Sequence, residues 1–186
     1  MSKLRLSYSL LSMWERGDIQ GAVDVFAWES MGIESKGTPQ METGKKYHDE
    51  ISRHIDTYNC LPDYMATQLS FTIPKTEYLV TVPYNELCDL GGRFDCIEEP
   101  ILYEWKTGVS DSLEWARTWQ LPIYFLICEL AGIKVDLAYL VRHNQYEKKS
   151  DFCIVHNSKR LRDKARNIID SLAPEIVDYF KEQGLI

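Results

Sequence analysis

The sequence lacks several features that whole classes of protein require. No apolar run approaches the roughly 20 residues that cross a bilayer, so no membrane-spanning helix is expected. The opening MSKLRLSYSLLSMWERGD has only a short apolar stretch, broken by Ser, Trp and Glu-Arg, with no small-residue cleavage site behind it. It reads as helix rather than secretory leader, and the chain is expected to stay in the cytosol, a cytoplasmic protein. Cysteine is scarce and odd in number, five residues with no C-x-x-C pair, which argues against a disulfide framework and a zinc ribbon. Those thiols are expected to be reduced and mostly buried. Positive charge is in deficit, with a formal net charge of −7, and this weighs against a polyanionic partner because phosphate binding is largely electrostatic.

What is present fits an ordinary globular protein. Of 186 residues, 45% are hydrophobic and 26% charged, and no repeat, low-complexity tract or Pro/Gly-rich linker marks a boundary. One domain over 1–186 is expected, with a mainly helical N-terminal part over 1–60, a core over 66–172 and a C-terminal helix over 173–186. The basic residues are unevenly distributed. Lys45, Lys46 and Arg53 share one predicted helix, and Lys159, Arg160, Arg162, Lys164 and Arg166 open another. Either cluster reads equally as a solvated face balancing acidic neighbours or as a phosphate-tracking surface.

Periodicity and punctuation suggest the element order. Ser7 or Ser9 caps a first helix over about Leu10 to Glu15, and Ile19 to Trp28 continues the helical region after Gly17. Met31 to Gln40, with two glycines and a proline, reads as loop, and Thr43 to Asn59 as helix with Tyr47, Ile51 and Ile55 at fourfold spacing. Short β-rich runs follow at Gln68 to Ile73, Tyr78 to Val82, Gly92 to Ile97 and Ile101 to Thr107, suggesting an antiparallel meander. A single long helix over Leu113 to Ala131 ends at Gly132; strands Val135 to Val141 and Asp151 to Val155 come next. A basic amphipathic helix spans Ser158 to Leu172, where Pro174 is expected to break it and start a last short one. That order implies an α/β fold, a mixed central sheet flanked by helices behind an N-terminal helical region.

The stretch GGRFDCIEEPILYEWKTG, residues 91–108, carries the chemistry. It reads as a hairpin turning at Glu98-Glu99-Pro100. If the loop spans 98–101, Ile97 pairs with Leu102, and Asp95 falls opposite Glu104, with Cβ atoms about 5 Å apart and able to share one divalent cation. Glu104 and Lys106, two apart on one strand, point to one face while Trp105 points to the other. Two carboxylates and an ammonium on one patch are what phosphodiester hydrolysis needs: oxygen ligands for a hard metal, and a cation to orient water and offset transition-state charge. Alternating charges on a solvated sheet face would look the same. Gln120 and Tyr124 form an i, i+4 pair on the following helix and read either as a rim Gln with a core Tyr or as polar groups with a buried partner. His48 lies four positions after Gly44 on its helix and reads as either a satisfied histidine or a ligand.

Taken in order, these residues resemble the PD-(D/E)XK nuclease superfamily, specifically its RecB-like branch, which includes CRISPR-adaptation nucleases and viral exonucleases. LSYSLLSMW is similar to that branch's opening helix, Gly44 to His48 to its His motif, and GGRFD at 91–95 to the motif with the metal-binding Asp. EWKTG at 104–108 resembles the E-x-K motif and QLPIY at 120–124 the Q-x-x-x-Y motif, so the likeness runs from about Leu6 to Leu172. The resemblance implies a restriction-endonuclease-like core and a metal-dependent deoxyribonuclease, an exonuclease of viral or phage type. It implies Mg²⁺ or Mn²⁺ on His48, Asp95, Glu104 and the backbone carbonyl of Trp105, with Lys106 at the water nucleophile and Gln120 and Tyr124 orienting the catalytic strand and touching phosphate. DNA, single- or double-stranded, would be the partner, along with proteins of a recombination, repair or CRISPR-type system. The iron–sulfur cysteines of the adaptation nucleases are missing, so no cluster is expected. The competing reading is a catalytically inactive nucleic-acid-binding or assembly module of the same fold; a scaffold or small-molecule binder is the third.

Overall fold

The computed structural model describes residues 3–33, 39–65, 69–108, 110–144 and 146–186. The chain opens with strand β1 (Leu4–Ser7), then helices α1 (Tyr8–Glu15), α2 (Ile19–Met31) and α3 (Pro39–Tyr58). Strands β2 (Lys75–Pro83), β3 (Cys88–Glu98) and β4 (Ile101–Thr107) follow, then α4 (Ser112–Arg117) and α5 (Gln120–Ala131), β5 (Leu137–Asn144), β6 (Lys149–His156) and α6 (Lys159–Glu182).

The six strands among the described residues form one sheet. β2, β3 and β4 run antiparallel in succession, as the punctuation between them suggests, and the hairpin register is Ile97 to Leu102. β4 and β5 are parallel because a helical crossover joins them, and β6 returns antiparallel on β5. Two apolar layers cover the sheet. On one face Phe94, Leu102, Phe125, Ile127, Ile169 and Phe180 pack in the larger core; on the other, Ile51 and Ile55 of α3 pack on Trp105, Tyr103, Cys96 and Val141.

Several elements differ from the sequence reading. Residues 4–7 form a strand parallel to β3, and Ser7, its last residue, also caps α1 by accepting from Leu10 N. Expected strand 68–73 is absent over the described residues 69–73, where Ser70 makes only an isolated bridge to Cys60. Position 68 of that run lies outside the described residues, as do 34–38 of the expected loop. The helix expected over 113–131 is two helices, broken at Thr118 and Trp119, so that Pro122 falls in the first turn of α5, where its missing N–H leaves no bond unmade. Pro174 interrupts nothing: α6 runs through it, carried by a buried stripe of Ile169, Ala173, Ile176, Val177 and Phe180. Packing of that stripe outweighs one lost backbone hydrogen bond.

The sheet forks at its centre. β2 pairs with β3 from Asp89 to Ile97, so β1, on Cys88 to Gly91, and β4, on Cys96 to Glu98, must both lie along the other edge of β3. Between them, residues 92–95 have no strand neighbour on that edge among the described residues. Two side chains satisfy the backbone there: Tyr124 donates to the Arg93 carbonyl at 3.1 Å, and Asp95 Oδ2 accepts from Trp105 N at 2.7 Å. The side-chain alternation slips at the same place, since Phe94 belongs to one core and Cys96 to the other.

Candidate active site

A cleft of about 490 Å³ opens at the fork, and His48, Asp95, Glu104, Lys106, Gln120 and Tyr124 all line it. α3, on the face to which Trp105 points, sends His48 toward Asp95; α5, on the opposite face, brings Gln120 and Tyr124 to the strands. Two glycines before Asp95 leave room for their neighbours, Gly91 for Arg5 of β1 and Gly92 for α5. A Cβ at Gly91 would lie 2.6 Å from Arg5 Cδ, and one at Gly92 would lie 3.0 Å from Ile127 Cδ1 and 3.3 Å from the Tyr124 ring.

Asp95 is buried, and the expected ladder pairing with Glu104 does not occur: regular pairing stops at Cys96–Tyr103. One carboxylate oxygen instead takes the Trp105 amide and the other lies 3.1 Å from His48 Nδ1. Burial opposes the charge on Asp95, but the His48 charge and hydrogen bond, Lys106 and the Trp105 amide together hold its carboxyl below the usual range. His48 shifts the other way. Burial disfavours its imidazolium, yet Asp95 and Glu104 outweigh that and raise it above the ordinary imidazole range.

Glu104 is 2% exposed. Its Oε1 accepts from Lys106 Nζ at 2.7 Å and Gln120 Nε2 at 2.6 Å, while its Oε2 is buried with no partner among the described residues. Burial and the neighbouring Asp95 charge push it up to about 7 against the pull of Lys106. Lys106 stays charged, because the two carboxylates overcome its burial and raise it. Its Nζ also lies 5.0 Å from the centroid of the Trp115 ring on α4. Gln120 and Tyr124 are buried and linked to each other at 3.1 Å, so the pair ties β4 to β3 through Glu104 and Arg93. Burial and the two carboxylates hold Tyr124 well above the usual phenol range, as a neutral donor.

Three neighbours escape the sequence reading. Glu77, on β2 across from Asp95, has a left-handed backbone (φ +47°), and one of its oxygens lies within 4.8 Å of ligand atoms on both His48 and Asp95. That trio is the metal-capable cluster found among the described residues, and Glu104 is not in it. Glu77 also meets Arg93 Nε at 3.2 Å and accepts from Ser52 Oγ at 3.4 Å; burial and the Asp95 charge raise its carboxyl. Arg93 rests on the Trp28 ring, 5.5 Å from its centroid. Trp115 is the third, hidden in what reads as one continuous helix. The indole of Trp105 is fully buried away from the cleft. Of the basic clusters, Lys45, Lys46 and Arg53 are exposed, whereas Arg162 and Arg166 are both paired with Glu129 and Lys159 with Asp163.

Comparison with known protein families finds no match, and comparison with curated proteins finds none. Solved structures do match. The chain is similar to an alkaline exonuclease from Laribacter hongkongensis, with a TM-score of 0.57 and 12% identity over 97% of this chain and 93% of that one. The same exonuclease in complex with dAMP gives a TM-score of 0.57 and 12% identity over 96% and 92%. A phage-related exonuclease from Haemophilus somnus 129PT gives 0.56 and 11% over 98% and 97%. At these identities the likeness is one of fold, and the fold is restriction-endonuclease-like: a mixed six-stranded sheet flanked by helices.

Proposed function

We propose that this chain is a divalent-metal-dependent nuclease that hydrolyses DNA phosphodiester bonds as an exonuclease of the RecB-like branch. The observation that carries the reading is the buried carboxylate pair at the fork, Asp95 and Glu104, with an ammonium bonded to one, an imidazole beside the other, and one buried oxygen, Glu104 Oε2, left without a partner. Two like charges in a dry site repel, and an orphaned carboxylate oxygen costs free energy. A hard dication relieves both, so the donor set fits Mg²⁺ or Mn²⁺, and the imidazole favours Mn²⁺. His48, Asp95, Glu104 and the Trp105 carbonyl would hold it. When bound, the cation supplies water activation and charge stabilisation at phosphorus.

The rest is done by the chain itself. Glu104 and Trp115 hold Lys106 so that its fixed positive charge can meet the attacking water and the phosphate oxygens. Gln120 and Tyr124 fix the relative positions of β3 and β4 and so the distance between the carboxylates. DNA as substrate is supported by the fold shared with exonucleases, one of them solved with dAMP.

The test is cleavage of end-labelled single- and double-stranded DNA with Mn²⁺, Mg²⁺ or EDTA. Metal-dependent release of mononucleotides is expected, falling about 10²–10³-fold in Lys106→Ala while Mn²⁺ binding persists. Cleavage undiminished in Lys106→Ala, or absent with every metal, would leave a binding module of the same fold as the better account.

A further inference from the structure

Glu77 stands out on independent grounds. Within the otherwise continuous β2–β3 ladder, pairing is kept at Thr76–Cys96 and Tyr78–Phe94 but not between Glu77 and Asp95. Only there in β2 does the backbone turn left-handed, a conformation that non-glycine side chains occupy at a cost. The strain aims the carboxylate at the fork, within 4.8 Å of donor atoms on His48 and Asp95. Glu104, whose buried Oε2 has no partner among the described residues, lines the same cleft as His48 and Asp95. The same carboxylate holds Arg93, whose side chain is half exposed at the cleft and lies on Trp28.

We propose that Glu77 is a further cation ligand that exchanges partners: it holds Arg93 in the metal-free protein and releases it toward a DNA phosphate when its own carboxylate is engaged by the metal. The proposal rests on the nuclease reading for the identity of the phosphate. One carboxylate cannot fully neutralise a guanidinium and a dication a few ångströms apart, and the two cations repel each other. Engaged at the metal, Glu77 therefore loosens its ion pair with Arg93. The guanidinium, already supported by the Trp28 ring and facing the cleft, is then free for a bidentate contact with phosphate. Cation and nucleic acid would thus bind cooperatively through two side chains on neighbouring strands.

Two titrations test this on the full chain, with Glu77→Gln and with Glu77→Gly, the latter suited to the left-handed backbone. Mn²⁺ alone is titrated by calorimetry, and a short fluorescein-labelled single-stranded oligodeoxynucleotide by anisotropy in EDTA and in Ca²⁺. Both variants are expected to bind Mn²⁺ about tenfold or more weakly. They are also expected to bind the oligonucleotide about two- to fivefold more tightly in EDTA, and that gain should vanish when Arg93→Gln is added. Unchanged Mn²⁺ affinity in both variants overturns Glu77 as a ligand. A gain in EDTA that survives Arg93→Gln overturns the exchange, since it would then be a bulk charge effect. If the parent binds Mn²⁺ but no oligonucleotide under any condition, the nucleic-acid reading falls and Arg93's role falls with it. A loss of Mn²⁺ affinity in the variants would still uphold Glu77 as a ligand.

Discussion

Glu104 shows what a single side chain reveals when its surroundings are known. Its carboxyl is pushed up to about 7, from an ordinary 4.5, by burial and by Asp95. The stability it contributes is full below about pH 4.5, declines as pH rises, and is lost above about 7. His48, Glu29 and Glu77 are also raised and act with the same sign. Metal-free protein in EDTA is therefore expected to lose on the order of 1–3 kcal/mol between about pH 5 and pH 7.5. Excess Mn²⁺ should reverse that trend, because the metal binds the ionised form. Thermal melts at the two pH values, with and without Mn²⁺, check it; a flat profile in EDTA would contradict the buried repulsion. At this scale the sequence was legible where chemistry is written in spacing. Glu104-x-Lys106 and Gln120-x-x-x-Tyr124 come together as two-residue and four-residue periods require. Glu77 was not legible: a lone Glu in a strand rich in Thr, Tyr and Val looks like a solvent-facing residue, and its left-handed backbone leaves no mark in the sequence.

The elements show where local signals yield to packing. Pro122 and Pro174 are the same residue type with opposite outcomes. Pro122 starts a new helix because a tight turn before it places Trp115 over Lys106 and Trp119 edge-on against Tyr8 at 5.8 Å. Pro174 is carried inside α6 because the apolar stripe continues past it. Pro174 is exposed, so Pro174→Ala restores a helix hydrogen bond without opening a cavity. A gain of about 1–3 kcal/mol is expected in urea unfolding. Gly92→Ala should do the reverse, driving a methyl into Ile127 and Tyr124 of α5 and costing about 1–3 kcal/mol. It should also slow cleavage, since Tyr124 is what fixes β3. The first strand was not legible because Leu4-Arg5-Leu6-Ser7 alternates over only four residues, too short a run to tell from the start of the capped helix that follows; only the free edge of β3 gives it a partner.

For the molecule as a whole, the acidic total conceals an uneven surface. Lys45 and Lys46 are exposed on the helix that carries His48, whereas Lys159, Arg162 and Arg166 of α6 are taken up by Glu129 and Asp163. Their charge, rather than that of α6, should govern DNA binding. Lys45→Glu with Lys46→Glu is expected to weaken oligonucleotide binding at every sequence and to flatten its salt dependence by about one to two units of log–log slope. Neutralising two of the paired cations of α6, Lys159→Gln with Arg166→Gln, should change it little. Alternation of strands and helices in the sequence foretold the mixed sheet and its crossover, but not the fork, because a gap between two strands is a property of three segments at once.

The fork has an evolutionary corollary. The side chains that would do the chemistry also close the backbone valences of a split in the sheet: Asp95 serves the Trp105 amide and Tyr124 the Arg93 carbonyl. A descendant that abandoned catalysis would still be compelled to retain Asp95 and Tyr124 in order to fold. Substitution at Asp95 or Tyr124 should therefore cost stability as well as activity, so that the two readouts fall together at these positions.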